Sequence, residues 1–113
     1  MDRDTICVDF DGVVVETTHQ FFGDGMDSKF APLVEGAIES LKWLCGRYDV
    51  VIFTSRQPHH HDAIRDWLRD EHGVPVAGVT SEKVSAIAYI DDRAIAFSGD
   101  WDDALSQVKG IAR

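Results

Sequence analysis

Two aspartates one residue apart, Asp9 and Asp11, close the apolar run Ile6-Cys7-Val8 and are followed at once by Gly12. Like charges this close repel, and each pushes up the pKa of the other. The pair is therefore costly to hold unless a cation or a reacting phosphate compensates it. Chemistry on an anionic substrate, assisted by a cation, is what these residue types suggest. Two more apolar runs end in polar groups. Val50-Val51-Ile52-Phe53 leads into Thr54-Ser55-Arg56, and the run closing at Ile90 leads into Asp91-Asp92-Arg93, with Lys83 eight residues before Asp91.

The elements that must bring these groups together alternate between strand and helix. Residues 5–10 read as a buried strand, rich in apolar and β-branched side chains. Residues 33–48 carry an amphipathic stripe (Leu33, Val34, Ala37, Ile38, Leu41, Leu44, Cys45) and read as a helix, weakened at Gly36 by about 1 kcal/mol. Residues 50–53 form a second strand and 59–72 a second helix, stopped by Gly73. Strands are expected at 74–79 and 86–90, with a turn or short helix at 81–85. A short fifth strand is expected at 94–97 and a closing helix at 101–111. Residues 14–32 have no clean period and carry Gly23-Asp24-Gly25, so they read as an irregular flap holding Phe21 and Phe22.

This order implies a three-layer, Rossmann-like α/β fold. A central parallel sheet of four to five strands would carry helices on both faces. Ligands of such sheets bind outside the carboxyl ends of the strands, where Asp9, Thr54 and Asp91 are all predicted to arrive.

Asp9-Phe10-Asp11-Gly12-Val13-Val14, then Thr54 closing a strand, Lys83, and Ile90-Asp91-Asp92 resemble the four sequential motifs of the haloacid dehalogenase (HAD) superfamily of phosphohydrolases. The resemblance runs from the first strand to the Asp-Asp pair, in the family's order. Lys83-Val84 departs from the Lys-Pro common in relatives, a change that removes no chemistry. The resemblance implies that Asp9 is the nucleophile of an aspartyl-phosphate mechanism and that Asp11 is the general acid and base. It implies Mg²⁺ held by the Asp9 carboxylate, the Asp11 backbone carbonyl and the Asp91 carboxylate, with Asp92 behind them orienting a water or Lys83. Thr54 and Lys83 would stabilise the transferring phosphoryl group. Gly12 would let the chain leave the strand directly after Asp11.

Ser55 reads either as a substrate contact or as a capping residue. Arg56 and Arg93 read either as anion-binding groups or as structural partners of the carboxylates. His59, His60 and His61 are consecutive and point about 100° apart on a helix, so they are expected to form a solvated helix start rather than a metal site. Cys7 and Cys45 read as small buried hydrophobes, and Trp67 and Trp101 as packing residues. The gaps at 15–53 and 57–82 are filled by core elements, so no cap domain is expected. The flap or a neighbouring subunit of a homo-oligomer is left to cover the site.

With 113 residues the chain is expected to form a single domain over 1–113. A composition of 44% hydrophobic and 27% charged residues is that of a globular protein. The net charge of −9 argues against a surface built for nucleic acid and favours a small phosphorylated metabolite. An open site keeps a second reading in view, a nucleotide or nucleic-acid-end phosphatase. A third, from another class, is a phospho-accepting regulatory domain without turnover. Receiver domains of that kind also use Asp, Thr, Lys and Mg²⁺, but they place the Asp pair first and a single acceptor Asp later, the reverse of the order here. No apolar run approaches the roughly 20 residues of a membrane span, and no signal-peptide pattern opens the chain, so a cytoplasmic protein is expected.

Overall fold

The computed structural model describes residues 3–16 and 32–111. Four parallel strands form one sheet: β1 (Thr5–Asp9), β2 (Asp49–Phe53), β3 (Gly78–Thr80) and β4 (Ala88–Ile90), in the order β3-β2-β1-β4. The helices are α1 (Ala37–Cys45), α2 (His61–His72) and α3 (Trp101–Ile111), and a 3-10 turn at Pro58–His60 precedes α2. No strand forms over 94–97, which is irregular, so among the described residues the sheet has four strands. Most of the expected flap, residues 17–31 with Phe21 and Phe22, lies outside the described residues.

The register fixes which side chains share a face. Cys7 pairs with Val51 and Tyr89, and Val8 with Ile52 and Ile90. Side chains alternate across a strand, so Ile6, Val8, Val50 and Ile52 point one way and Cys7, Asp9, Val51, Phe53 and Tyr89 the other. The first set packs into one core with Leu41 of α1 and with Ile64 and Leu68 of α2, joined by Phe10, Val14 and Val15. α1 and α2 thus bury their apolar stripes in the same cluster. α3 buries none of its residues. Trp101, expected to be a packing residue, is 69% exposed, and its ring contact is with Phe97, centroids 5.1 Å apart. Trp67 does pack, its ring edge-on to Phe10 at 6.3 Å.

Several boundaries differ from the periodicity for local reasons. Gly36 adopts φ 83°, a left-handed conformation, and α1 begins only after it rather than at residue 33. Leu33 instead bridges Val15, and the Val34 N–H donates to the Val14 carbonyl, so the two ends of the expected flap are tied together. β3 starts at Gly78 rather than Val74. Pro75 has no N–H to give, and the Val76 N–H turns back to the Val74 carbonyl instead of entering the ladder. The α2 stripe ends as expected at Gly73, with φ 68°.

Candidate active site at the carboxyl edge of the sheet

The strand order places the site. From β1 the chain moves outward through β2 to β3, then returns to the other side of β1 as β4. Such a reversal opens a crevice at the carboxyl ends of the two strands it separates, here β1 and β4. Asp9 ends β1, and Asp91 follows β4 directly.

Asp9, Asp91 and Asp92 each bring a carboxylate oxygen within 4.8 Å of the others. Asp92, expected behind the ligand set, therefore shares the cluster. Asp9, partly buried beside these carboxylates, has its pKa pushed up to about 6. Burial is the main cause, followed by Asp91, Asp92 and Asp11, against a lowering hydrogen bond with the Phe10 backbone. Burial also raises the Cys7 thiol, one pleat below Asp9. The donor set is carboxylate oxygen throughout, the kind that hard divalent cations take. A bound cation would offset both the burial of the Asp9 charge and its repulsion by the neighbouring carboxylates, so the residues present fit such an ion.

The fourth carboxylate, Asp11, is held elsewhere. Arg56 grips it with two prongs, Nη2 to Oδ1 at 2.7 Å and Nε to Oδ2 at 3.2 Å. A planar guanidinium matched to a carboxylate is among the stronger pairings available to side chains. The buried Thr54 hydroxyl donates a long bond, 3.4 Å, to the same Oδ2 and accepts the Arg56 backbone N–H at 3.2 Å. Of the two readings of Arg56, the structure shows the ion pair with a carboxylate. The Arg93 backbone N–H donates to Asp91 Oδ1 at 2.7 Å, closing the turn after β4.

Gly12 takes φ 91°, a left-handed conformation that favours glycine. The chain folds back immediately: the Val14 and Val15 N–H groups both donate to the Phe10 carbonyl. Lys83 is exposed and lines, with Asp9 and Asp91, a cavity of about 370 Å³ whose walls include Cys7, Phe53 and Tyr89. Its Nζ lies 5.7 Å from the Tyr89 ring centre, and the Tyr89 hydroxyl donates to the Val84 carbonyl. Ser55 is exposed.

The histidines differ from the solvated helix start that was expected. His60 is buried and stacks on His59, centroids 4.0 Å apart, while His61 Nε2 lies 3.1 Å from the Arg56 carbonyl oxygen. His61 therefore braces the loop that carries Arg56. Sequence reasoning had no means of finding this contact, because three adjacent histidines give no sign of which one turns back toward the preceding strand.

Among the described residues, no helix is long and apolar enough to cross a membrane. No curated protein matches the chain. A conserved protein from Bacteroides thetaiotaomicron shares its fold, with a TM-score of 0.63 at 22% identity, over 99% of this chain and 94% of that one. A family model described as the HAD domain in Swiss Army Knife RNA repair proteins matches residues 5–105. With that match spanning nearly all of the chain, and with the motif residues gathered at one sheet edge, the protein belongs to this HAD domain family and so to the haloacid dehalogenase superfamily of phosphohydrolases.

Proposed function

We propose that the protein is a Mg²⁺-dependent phosphomonoester hydrolase that removes a terminal phosphate from an RNA strand. The observation that carries the reaction is the division of four carboxylates at one sheet edge. Asp9, Asp91 and Asp92 converge, while Asp11 stands apart in the grip of Arg56. In this reading an Asp9 oxygen attacks phosphorus, forming an Asp9 acyl phosphate as the bond to the leaving oxygen breaks. Asp11 gives that oxygen a proton, then takes one from the water that hydrolyses the acyl phosphate and regenerates Asp9. Thr54 and Lys83 supply a hydroxyl donor and a positive charge to the phosphoryl oxygens. Bound Mg²⁺ would neutralise charge on the transferred group, held by Asp9 and Asp91 with Asp92 beside them.

The RNA substrate rests on the family description, which names RNA repair proteins. The net charge of −9 favours a second reading, the same chemistry on a small phosphorylated metabolite, because a strand of phosphates is repelled by an acidic surface.

Oligoribonucleotides bearing a 5′ or a 3′ phosphate, a panel of phosphorylated metabolites and an aryl phosphate, each assayed for phosphate release with and without Mg²⁺, separate these readings. Release from the oligonucleotides, falling with added salt, supports the first; release from metabolites alone supports the second. The Asp9→Asn variant is expected to lose activity on the order of a thousandfold or more on every substrate. Wild-type activity in that variant would sink the nucleophile assignment. A long-lived acyl phosphate with no turnover would instead indicate a phospho-accepting domain.

A further inference from the structure

Asp11 is two residues from Asp9, on the same turn, yet its carboxylate is not among those gathered within 4.8 Å. Nothing in the backbone spacing explains this, since a flexible acidic side chain beside a cation site is itself a ready ligand. The Arg56 fork explains it: both Asp11 oxygens are engaged, at 2.7 and 3.2 Å, and Thr54 reaches one of them from the same side.

Arg56 is itself well anchored. Its side chain is 9% exposed. Its guanidinium carbon lies 5.3 Å from the centre of the Phe10 ring, which is in turn backed by Trp67 of α2. Its backbone N–H is tied to Thr54 Oγ1 and its carbonyl oxygen lies against His61 Nε2. In a pair with one member fixed by packing and main-chain contacts, the other member moves to meet it. Asp11 is accordingly the group that is aimed.

Resting on the metal chemistry proposed above, we propose that Arg56 is a positioning residue that withholds the Asp11 carboxylate from the cation cluster. Four carboxylates sit at one edge, and an Asp11 side chain freed from Arg56 would offer a bound cation a further oxygen ligand. Arg56 opposes this by offering Asp11 a competing cation of fixed geometry.

The test is Mg²⁺ binding measured by calorimetry without substrate, on the wild type, Arg56→Met, Asp11→Asn and the double variant. Freed from Arg56, Asp11 joins the cluster, so Arg56→Met is expected to bind Mg²⁺ about tenfold more tightly while kcat falls about a hundredfold. In the Asp11→Asn background the same substitution is expected to change affinity by less than about twofold, because the recruited ligand is gone. Arg56→Lys, which keeps the charge but loses the fork, should recover part of the wild-type behaviour.

Equal tightening in both backgrounds would mean that the lost charge alone acts, and it overturns the proposal, as does unchanged affinity in Arg56→Met. Should Arg56→Met fail to fold, Asp11→Asn and Asp91→Asn decide. The first is expected to stay within about threefold of wild type and the second to weaken binding at least about tenfold; equal losses overturn the proposal. Wild-type protein that binds no Mg²⁺ removes the metal chemistry and this inference together. Wild-type binding with no coupling between Arg56 and Asp11 removes this inference alone.

Discussion

Asp9 is a partly buried carboxyl group beside other carboxylates, and its proton affinity records the burial first and their charges second. Raised to about 6 from the unfolded value of about 3.9, it binds a proton more tightly in the folded than in the unfolded chain across that interval. The stability it contributes is fully present below the unfolded value and is lost as pH rises through about 6. Metal-free Asp9→Asn protein is therefore expected to melt at a higher temperature than metal-free wild type at pH 7.5, with the difference closing near pH 4. Melting curves of the two proteins at both pH values check this, and a constant offset would show that Asp9 is not the group responsible. That these residues arrive at one sheet edge could be read from the sequence because a strand end leaves a local signature: an apolar run, then Asp, Thr or Asp again. The Arg56 to Asp11 pair could not, since 45 positions separate its members and a sequence does not say which of several nearby carboxylates an arginine will choose.

At the scale of elements, the backbone rather than the hydrophobic pattern decides where things begin. The stripe from Leu33 predicts a helix three to four residues too early, because periodicity reports which face is buried and says nothing of dihedral angles. Gly36, at φ 83°, marks the true start, and an added Cβ there meets nothing within 4 Å. Substituting alanine is thus a purely conformational insult, expected to cost about 1–2 kcal/mol in urea unfolding. Asparagine, which tolerates the left-handed region better, should cost less. Equal stabilities for the glycine and alanine forms would mean that the left-handed turn is not kept in solution. β3 shows the same lesson from the other side: Val74 and Val76 look like strand residues, and the missing donor of Pro75 keeps them out of the ladder. The amphipathic pattern of α3 predicts its helix correctly, but not that its apolar residues face outward.

The whole molecule is an acidic α/β domain with net charge −9 and a knot of carboxylates at one edge. A cation bound there stabilises the native state by mass action and also relieves the local repulsion. Saturating Mg²⁺, at about a hundred times its dissociation constant, is expected to add about 2.7 kcal/mol to the unfolding free energy. Differential scanning calorimetry of wild type and Asp91→Asn, with and without Mg²⁺, reads this out: the shift in melting temperature should be largely absent from the variant. An equal shift in both would place the ion elsewhere. The general architecture was legible because a parallel sheet leaves a strong trace, apolar strands separated by helices. That α3 would leave its residues unburied was not, because it depends on contacts between segments that composition does not specify.

The position of β4 also bears on how the protein comes into being. β1, α1, β2, α2 and β3 each meet their neighbours soon after they are made, whereas β4 must travel back across the sheet to pair with β1. Contacts between distant parts of a chain close late and slowly. Asp9 emerges from the ribosome with β1, and Asp91 and Asp92 only after β1, β2 and β3 have all been made. A nascent chain can therefore hold most of its core before the carboxylate cluster of Asp9, Asp91 and Asp92 is assembled.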